Sequence, residues 1–256
     1  MGNDTIIEAI GLTKSFGNKL ILDGVNLSIK RGESMVILGG SGSGKSVFIK
    51  HIIGLLEPDS GKVLVEGEEV AKMGQKKMNQ FRKKFGMLFQ NGALFDSMTI
   101  GENVGFALKE HTDLSKTDRE SIVKSKLALV GLFDVENSKP AELSGGMKKR
   151  VGLARAIAMD PEIILYDEPT TGLDPITADQ INDLISSLQK EINVTTVTIT
   201  HDMVSANRIA DRVAFLYKGK FVATGSADDV FNSRATEVAD FCYIGRVLRK
   251  SEIIQK

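Results

Sequence analysis

Short apolar runs that end in polar or glycine-rich segments predict a chain of alternating strands and helices. Residues 6–12 and 20–29 are strand-like and are separated by the polar segment 15–18, which predicts an antiparallel pair joined by a tight turn. Further strand-like runs occur at 36–38, 63–65, 86–89, 163–166, 195–200, 212–217 and 221–224. Because continuous apolar runs are typical of strands buried on both faces, we expect a mainly parallel sheet.

Helical spacing of apolar residues predicts the elements between these strands. The spacing occurs over 45–56 and over 115–131, where a capping box marks the helix start, and a further helix is predicted over 148–159. The segment 91–160 is therefore mainly helical, and we expect it to be an α-helical subdomain inserted into an α/β domain.

The predicted elements form one domain over residues 5–240, which is long enough to bury a sizeable core. In this division the sheet core, with its N-terminal antiparallel part, comprises 5–90 and 161–225, the helical subdomain comprises 91–160, and a C-terminal tail comprises 241–256.

Composition excludes several classes of function. Lys and Arg together number 33, as do Asp and Glu, so no net charge attracts nucleic acid. The apolar runs are far shorter than the ~20 residues that span a bilayer, and the polar residues 1–4 do not resemble a signal peptide. The single Cys242 is expected to be an inert packed thiol. These features predict a cytosolic chain.

The segment 39–46 fits the phosphate-binding pattern G-x-x-x-x-G-K-[ST], between a strand and a helix. In this pattern, backbone N–H groups form an anion-binding concavity at a helix N-terminus. The loop residues are Gly39, Gly40, Ser41, Gly42, Ser43 and Gly44. We expect Lys45 to reach the β- and γ-phosphates and Ser46 to be a magnesium ligand. The alternative is a flexible Gly/Ser-rich loop, which the flanking strand and helix disfavour.

Polar residues at the ends of three predicted strands are candidates for the chemistry. Ligands of open α/β sheets bind at the carboxyl ends of strands, and this is where the sequence has Gln90, Asp167, Glu168 and His201. Asp167 can hold magnesium through water, Glu168 can polarise an attacking water, and His201 can reach a γ-phosphate. The alternative for the two acids is a pair of helix-entry residues before Pro169.

A second helix N-terminus carries glycines that helix propensity disfavours. Ser144 is a good N-cap, and Gly145 and Gly146 directly follow it. We therefore expect close backbone approach by an anionic ligand. The basic run 148–150 is more typical of a solvent-exposed turn. Asp174, which precedes a proline, is expected to cap another helix.

These motifs in this order make the chain similar to the ATP-binding cassette of ABC transporters. The resemblance implies a P-loop NTPase fold with a RecA-like sheet core and hydrolysis of ATP with Mg²⁺. It implies that the nucleotide contacts are Phe16 as the adenine-stacking aromatic, the loop through Lys45, Ser46 and Val47, the signature residues Ser144, Gly145 and Gly146, and Asp174. It implies that His201 is the switch histidine and that the magnesium ligands are Ser46, Gln90 and Asp167.

Two residues depart from the family pattern. Met147 stands where the signature usually has Gln, and Phe16 stands where the adenine-stacking residue is usually Tyr. From the residues alone, an ordinary core position remains the alternative for Phe16. Four segments together resemble the ATPase of Mla-type phospholipid transporters, which work with MCE proteins: 40–47, 50–55, 89–99 and 143–147.

The resemblance also implies partners. These are a second copy of the cassette, bound head to tail, a membrane permease on a separate chain, and an MCE-domain protein. A short helix of the permease is expected to dock on the apolar residues Leu94, Phe95, Met98 and Phe106. The expected location is the cytoplasmic face of the inner (plasma) membrane.

Two further functions compete with phospholipid transport. One is the ATPase of a polar-solute ABC importer. The other is a soluble ABC protein of translation or DNA maintenance, which usually has two cassettes or a long heptad coiled coil. This chain has one cassette, no sustained heptads and no basic excess, all of which disfavour the soluble class.

Overall fold

The computed structural model describes residues 4–90 and 92–243. The strands within them are β1 (Thr5–Phe16), β2 (Lys19–Lys30), β3 (Ser34–Leu38), β4 (Ser60–Val65), β5 (Glu68–Glu69), β6 (Phe85–Leu88), β7 (Ile163–Asp167), β8 (Thr195–Thr200), β9 (Arg212–Tyr217) and β10 (Lys220–Gly225). The α-helices are α1 (Lys45–Ile52), α2 (Gln75–Arg82), α3 (Ile100–His111), α4 (Lys116–Leu129), α5 (Gly145–Ala156), α6 (Pro175–Ile192), α7 (Met203–Ile209) and α8 (Ala227–Phe231). None of the helices in these two ranges is both long enough and apolar enough to span a membrane.

Contacts divide the chain into two compact units. Unit 1 comprises the described parts of Met1–Met78 and Val197–Lys256, and unit 2 comprises those of Asn79–Thr196. Unit 2 includes β6 and β7 as well as helices, whereas the helical subdomain expected from the sequence covers 91–160. The domain limits stay a prediction, and the expected tail lies outside the described residues from position 244 onward.

Unit 1 contains the antiparallel sheet that the N-terminal pattern predicts. Its strand order is β2-β1-β4-β5, and Ile7 in the middle strand pairs with Ile29 on one side and with Val65 on the other. All three side chains are buried. The register of β1 shifts next to Gly11, whose φ of 57° lies in the left-handed region that glycine favours.

Unit 1 also contains the strand that precedes the glycine-rich loop. All five residues of β3 are buried, and β3 pairs in parallel with β9, so that Leu38 lies opposite Phe215. Strand β10 pairs antiparallel with the other edge of β9. The prediction of parallel pairing is confirmed here. The loop after Leu38 therefore starts at the carboxyl end of a buried strand.

Unit 2 includes the parallel strands β6 and β7 and the helices α3, α4, α5 and α6. Strand β6 pairs with β7, so that Phe85 lies opposite Ile163 and Leu88 lies opposite Tyr166. Helix α5 contacts β6 and packs against α3, α4 and α6. Because both strands run in the same direction, the residues that follow them, including Gln90, lie at one edge of the unit.

Two predicted helix ends differ from the structure. The helix predicted over 45–56 ends at Ile52, because Gly54 takes a left-handed φ of 66° and the chain turns there, with the N–H of Leu55 bonded to Lys50 O at 2.8 Å. The helix predicted over 148–159 begins at Gly145 and ends at Ala156. The predicted start of α4 is confirmed, since Ser115 accepts a hydrogen bond from the N–H of Asp118.

Candidate functional site

The glycine-rich loop lies in unit 1, between β3 and α1. Its first residue, Gly39, donates its N–H to Thr200 O at 3.3 Å. A Cβ on Gly39 would lie 2.3 Å from Leu216 O, so the close approach of two backbones requires glycine there. Gly44 caps α1 at φ 109°, a conformation that glycine adopts without steric cost. Both ends of the loop therefore depend on glycine.

Lys45, the first residue of α1, places a positive charge inside this loop. The side chain is 7% exposed, and its ammonium donates to Gly39 O at 2.7 Å and to Gly40 O at 3.0 Å. The first turn of α1 carries no acidic residue. Since the N-terminus of a helix also carries partial positive charge, the potential at the loop favours an anion such as phosphate.

Two hydroxyl groups test whether the loop fits a phosphate with its magnesium ion. Ser43 Oγ is buried and has no hydrogen-bond partner within the described residues. An unpartnered buried hydroxyl costs free energy, and a phosphate oxygen would accept its hydrogen bond. Ser46 is exposed in the first turn of α1 and offers an oxygen of the kind that magnesium prefers. The loop residues therefore fit both groups.

Phe16 and His201 also belong to unit 1. The Phe16 side chain is 49% exposed at the end of β1, with Lys14 Nζ 5.7 Å from the centre of its ring. The alternative of an ordinary core phenylalanine is therefore wrong, since about half of the side chain is exposed. His201 is exposed and directly follows Thr200, the residue bonded to Gly39. It thus lies at the same edge of the sheet as the glycine-rich loop.

The two predicted acids lie in unit 2, at the end of β7. Asp167 is the last residue of the strand, and Glu168 follows it in the left-handed region at φ 50°. This conformation is strained for a residue with a Cβ and is typical of functional sites. The Glu168 carboxylate accepts a hydrogen bond from Thr171 Oγ1 at 3.0 Å, and Glu168 O accepts one from the N–H of Thr171 at 3.3 Å. This turn fixes the direction of the carboxylate.

A lysine of α5 connects Gln90 with Glu168. Gln90 is exposed after β6, as predicted for a residue that reaches a ligand. Its carbonyl accepts a hydrogen bond from the ammonium of Lys149, which also donates to Glu168 O at 3.3 Å. Burial lowers the pKa of Lys149 to about 8, although the charges of Asp167 and Glu168 oppose this shift.

Lys149 is a residue that the sequence reasoning missed. The run 148–150 is expected to be solvent-exposed, but Lys149 is 5% exposed and that expectation is wrong for it. The available signal was helical spacing, since Lys149 lies four residues before Leu153 and seven before Ala156, both of which are buried. Within the basic run, Lys149 therefore lies on the buried face of α5, whereas Lys148 and Arg150 are partly exposed.

The second glycine-containing helix start is formed as predicted, and one of its glycines has a packing role. Ser144 caps α5 by accepting a hydrogen bond from the N–H of Met147 at 3.3 Å. A Cβ on Gly146 would lie 2.6 Å from Thr177 Cγ2, so contact with α6 already requires glycine there. The nearest atom to a Cβ on Gly145 would be 3.6 Å away. Packing therefore accounts for the lack of a side chain at Gly146 but not at Gly145, and contact of either backbone with a ligand stays a prediction.

Asp174 caps α6, as predicted. Its carboxylate accepts hydrogen bonds from the N–H groups of Ile176 and Thr177, both at 3.1 Å, and from Thr177 Oγ1 at 2.5 Å. The hydrogen bond from the Thr177 side chain is the main cause of a lowered pKa for Asp174. The carboxylate is therefore ionised and fixed in direction at the exposed start of α6.

Comparison with known proteins indicates the same family as the sequence motifs do. Residues 22–171 match the family described as ABC transporter. The probable ribonucleotide transport ATP-binding protein mkl of Mycobacterium tuberculosis is 43% identical over 92% of this chain and 66% of its own length. The chain thus spans slightly less than two thirds of that relative. The intermembrane phospholipid transport system ATP-binding protein MlaF of Haemophilus influenzae is 39% identical over 93% of this chain and 90% of its own.

A solved structure is similar in fold. It is the dimeric, post-hydrolysis state of the ATP-binding cassette MJ0796 bound to ADP and Pi, which superposes with a TM-score of 0.78 at 33% identity and covers 86% of this chain and 98% of its own. The predicted fold, a P-loop NTPase of the ABC type, is confirmed by this likeness. That structure is a dimer and holds the products of ATP hydrolysis. The chain belongs to the family of ABC transporter ATP-binding cassettes.

Proposed function

We propose that the chain hydrolyses ATP to energise a membrane transporter and that its transported substrate is a phospholipid. Lys45 and the loop N–H groups hold the phosphates, while Ser46, Gln90 and Asp167 supply oxygens to Mg²⁺. Glu168 polarises the attacking water and His201 contacts the γ-phosphate. When bound, Mg²⁺ neutralises charge that develops on the phosphoryl oxygens.

The observation that carries this proposal is the glycine-rich loop with its buried cation. Lys45 is held by two loop carbonyls, and Ser43 offers a buried hydroxyl that a phosphate oxygen would satisfy. The strained Glu168, fixed by Thr171, supplies the carboxylate that the chemistry needs. Similarity to cassettes that hold ADP and Pi supports the same chemistry.

Glu168→Gln tests the hydrolytic role. We expect the variant to bind ATP normally but to hydrolyse it at least ~100-fold more slowly, because the amide cannot act as a base. Phosphate release and the binding of a fluorescent ATP analogue measure the two effects separately. Lys45→Ala is the matched control, since it should weaken nucleotide binding itself. Normal turnover by Glu168→Gln would remove Glu168 from the proposed role.

The phospholipid substrate is supported by the similarity to MlaF, and the alternative is a polar solute. The mkl relative is named for ribonucleotide transport, which favours that alternative. The test is a liposome that contains the cassette with its permease and is supplied with ATP. We expect transfer of labelled phospholipid. Uptake of a labelled ribonucleotide without lipid transfer would instead support the importer.

The partners follow from this function. We infer a head-to-tail homodimer, in which Ser144, Gly145 and Gly146 of one cassette face the γ-phosphate bound by the other. The permease docks at Leu94, Phe95 and Met98, and an MCE-domain protein completes the transporter. The cassette then lies on the cytoplasmic face of the inner (plasma) membrane. Sedimentation of Glu168→Gln tests the dimer, which should form with ATP and dissociate without it.

A further inference from the structure

The ammonium of Lys149 contacts two separate segments that each carry a proposed site residue. It donates to Gln90 O, after β6, and to Glu168 O, after β7, at 3.3 Å. We propose that Lys149 is a positioning residue that sets the distance between Gln90 and Glu168. This inference rests on the proposed function, because it assigns to Lys149 a role in the same hydrolysis.

Burial of Lys149 makes its ammonium depend on the carbonyls of Gln90 and Glu168. An ammonium that is 5% exposed loses most of its hydration and needs acceptors of fixed position to replace it. The acceptors are backbone carbonyls, so the lysine constrains the path of the chain and not only a side chain. Because the charges of Asp167 and Glu168 also favour the ammonium, the lysine stays at the end of β7. Helix α5 thereby holds both strand ends.

Both segments that Lys149 contacts include left-handed backbone conformations. Glu168 has a strained φ of 50°, which surrounding contacts must maintain. After Gln90, Gly92 and Ala93 also have left-handed φ values, of 71° and 46°. Without the lysine, the carbonyls of Gln90 and Glu168 would each lose a charged donor. The two side chains could then move apart while the rest of the unit keeps its packing.

A second cation of α5 provides a matched comparison. The guanidinium of Arg155 donates to Gly92 O at 2.6 Å and to Ala93 O at 2.8 Å. Arg155 therefore holds the segment after Gln90, and neither of these two bonds reaches Glu168. The bonds of Lys149, in contrast, reach both that segment and Glu168. If hydrolysis depends on the position of Gln90 relative to Glu168, loss of Lys149 should lower turnover more than loss of Arg155 does.

The two hydrogen bonds described for Lys149 go to main-chain oxygens, so we expect its loss to affect the rate and not nucleotide affinity. The experiment compares Lys149→Met, Arg155→Met and the control Lys148→Met, whose side chain is partly exposed on the same helix. For Lys149→Met we expect a kcat reduced ~10- to 100-fold, since small displacements of reacting groups have effects of that size. The KM for ATP and the Kd for a fluorescent ATP analogue should stay within about twofold of the parent.

A double-mutant cycle with Glu168→Gln separates positioning from a general structural defect. If Lys149 acts through Glu168, adding Lys149→Met to Glu168→Gln should lower the residual rate less than about twofold. A further loss as large as that in the parent would overturn the proposal, as would an unchanged kcat for Lys149→Met or an effect no larger than that of Arg155→Met. If Lys149→Met does not fold, Lys149→Gln, which keeps a donor without the buried charge, takes its place in the cycle.

The outcomes also distinguish this inference from the proposed function. Normal turnover by Glu168→Gln alone would remove Glu168 from hydrolysis and leave Lys149 with nothing to position. Slow turnover by Glu168→Gln together with normal turnover by Lys149→Met would keep the proposed function and overturn the role of Lys149. The thermal midpoint of each variant shows whether it is folded.

Discussion

The two buried lysines of the candidate site show how single residues place charge in this molecule. Lys45 and Lys149 are 7% and 5% exposed, and each donates to two main-chain carbonyls in its own unit. A buried ammonium that donates to two carbonyls has a defined position, because hydrogen bonds have preferred lengths and directions. Sequence reasoning predicts Lys45, because the motif around it specifies a loop. It does not predict Lys149, because burial within a basic run depends on what α5 packs against.

His51 is the residue whose titration we expect to affect stability. It lies in α1, is 1% exposed, and its Nδ1 is 2.7 Å from Val47 O. Burial is the largest cause of a pKa below the usual 6.5, and Lys14 lowers the pKa further. The carbonyls of Val47 and Glu57 and the carboxylate of Asp59 act in the opposite direction. The net shift is downward.

The direction of this shift determines the effect of pH. The unfolded chain binds a proton at His51 at a higher pH than the folded chain does, so stability falls as pH drops from about 6.5 through the folded pKa. Above that window the contribution is constant. We expect His51→Gln, which cannot be protonated, to lose less thermal stability than the parent between about pH 7.5 and pH 5.5. Equal losses in the two proteins would show that His51 does not titrate in this way.

At the scale of elements, glycines set how closely α5 approaches β6. A Cβ on Gly86 would lie 2.2 Å from Ala156 O, and one on Gly152 would lie 2.6 Å from Leu88 Cδ1. Each element thus contributes one glycine to the contact. This close approach brings Lys149 near the end of β6, so packing between the elements determines the geometry of the candidate site.

Gly86→Ala tests this close approach. The added methyl group meets backbone and cannot be accommodated by a side-chain rotation, so we expect a loss of roughly 1–3 kcal/mol in the free energy of unfolding. Gly74→Ala is the control, since a Cβ there would meet nothing within 4 Å and the residue is exposed. Urea unfolding of the two variants gives the comparison. Equal stability would mean that α5 can shift away from β6 without cost.

Strands and helix starts are the elements that the sequence predicts best, because their signals are local. Apolar runs predict β6 and β7, and Ser115 and Ser144 predict helix caps that the structure confirms. Helix ends are predicted less well. The end of α1 has a local signal in Gly54, which takes a left-handed φ. The end of α5 has no such signal, because after Ala156 the chain continues in turns such as that from the N–H of Asp160 to Ile157 O.

At the scale of the whole molecule, the order of motifs predicts the family, since each motif specifies a local backbone and the set is specific in combination. The division into units and the partner surface are harder to predict from the sequence, because they depend on which apolar residues stay exposed. The sequence alone leaves open whether the apolar residues after Gln90 are core or surface. Phe95 is 44% exposed, and its ring centre lies 5.2 Å from that of Phe106.

The conformation of Phe95 is held through its backbone. Its N–H donates to Asn103 Oδ1 at 2.8 Å, and its carbonyl accepts from Asn103 Nδ2 at 3.1 Å. Asn103 is fully buried in α3 and also donates to Thr99 O. The loop therefore keeps its shape without burying the phenyl ring. This leaves the ring available for an apolar groove contact with a partner helix.

Phe95→Asp should therefore uncouple the cassette from its permease without unfolding it. We expect the isolated subunit to keep its ATPase rate within about twofold, because the substitution removes only a half-exposed ring. Co-purification with the permease and ATP-driven lipid transfer should both be lost, since a charge in an apolar groove would be desolvated without a partner. Phe133→Asp is the matched control, because this ring is 67% exposed in the same unit and should be dispensable for both. Retention of the permease by Phe95→Asp, or unfolding of the isolated variant, would show that Phe95 is not a docking residue.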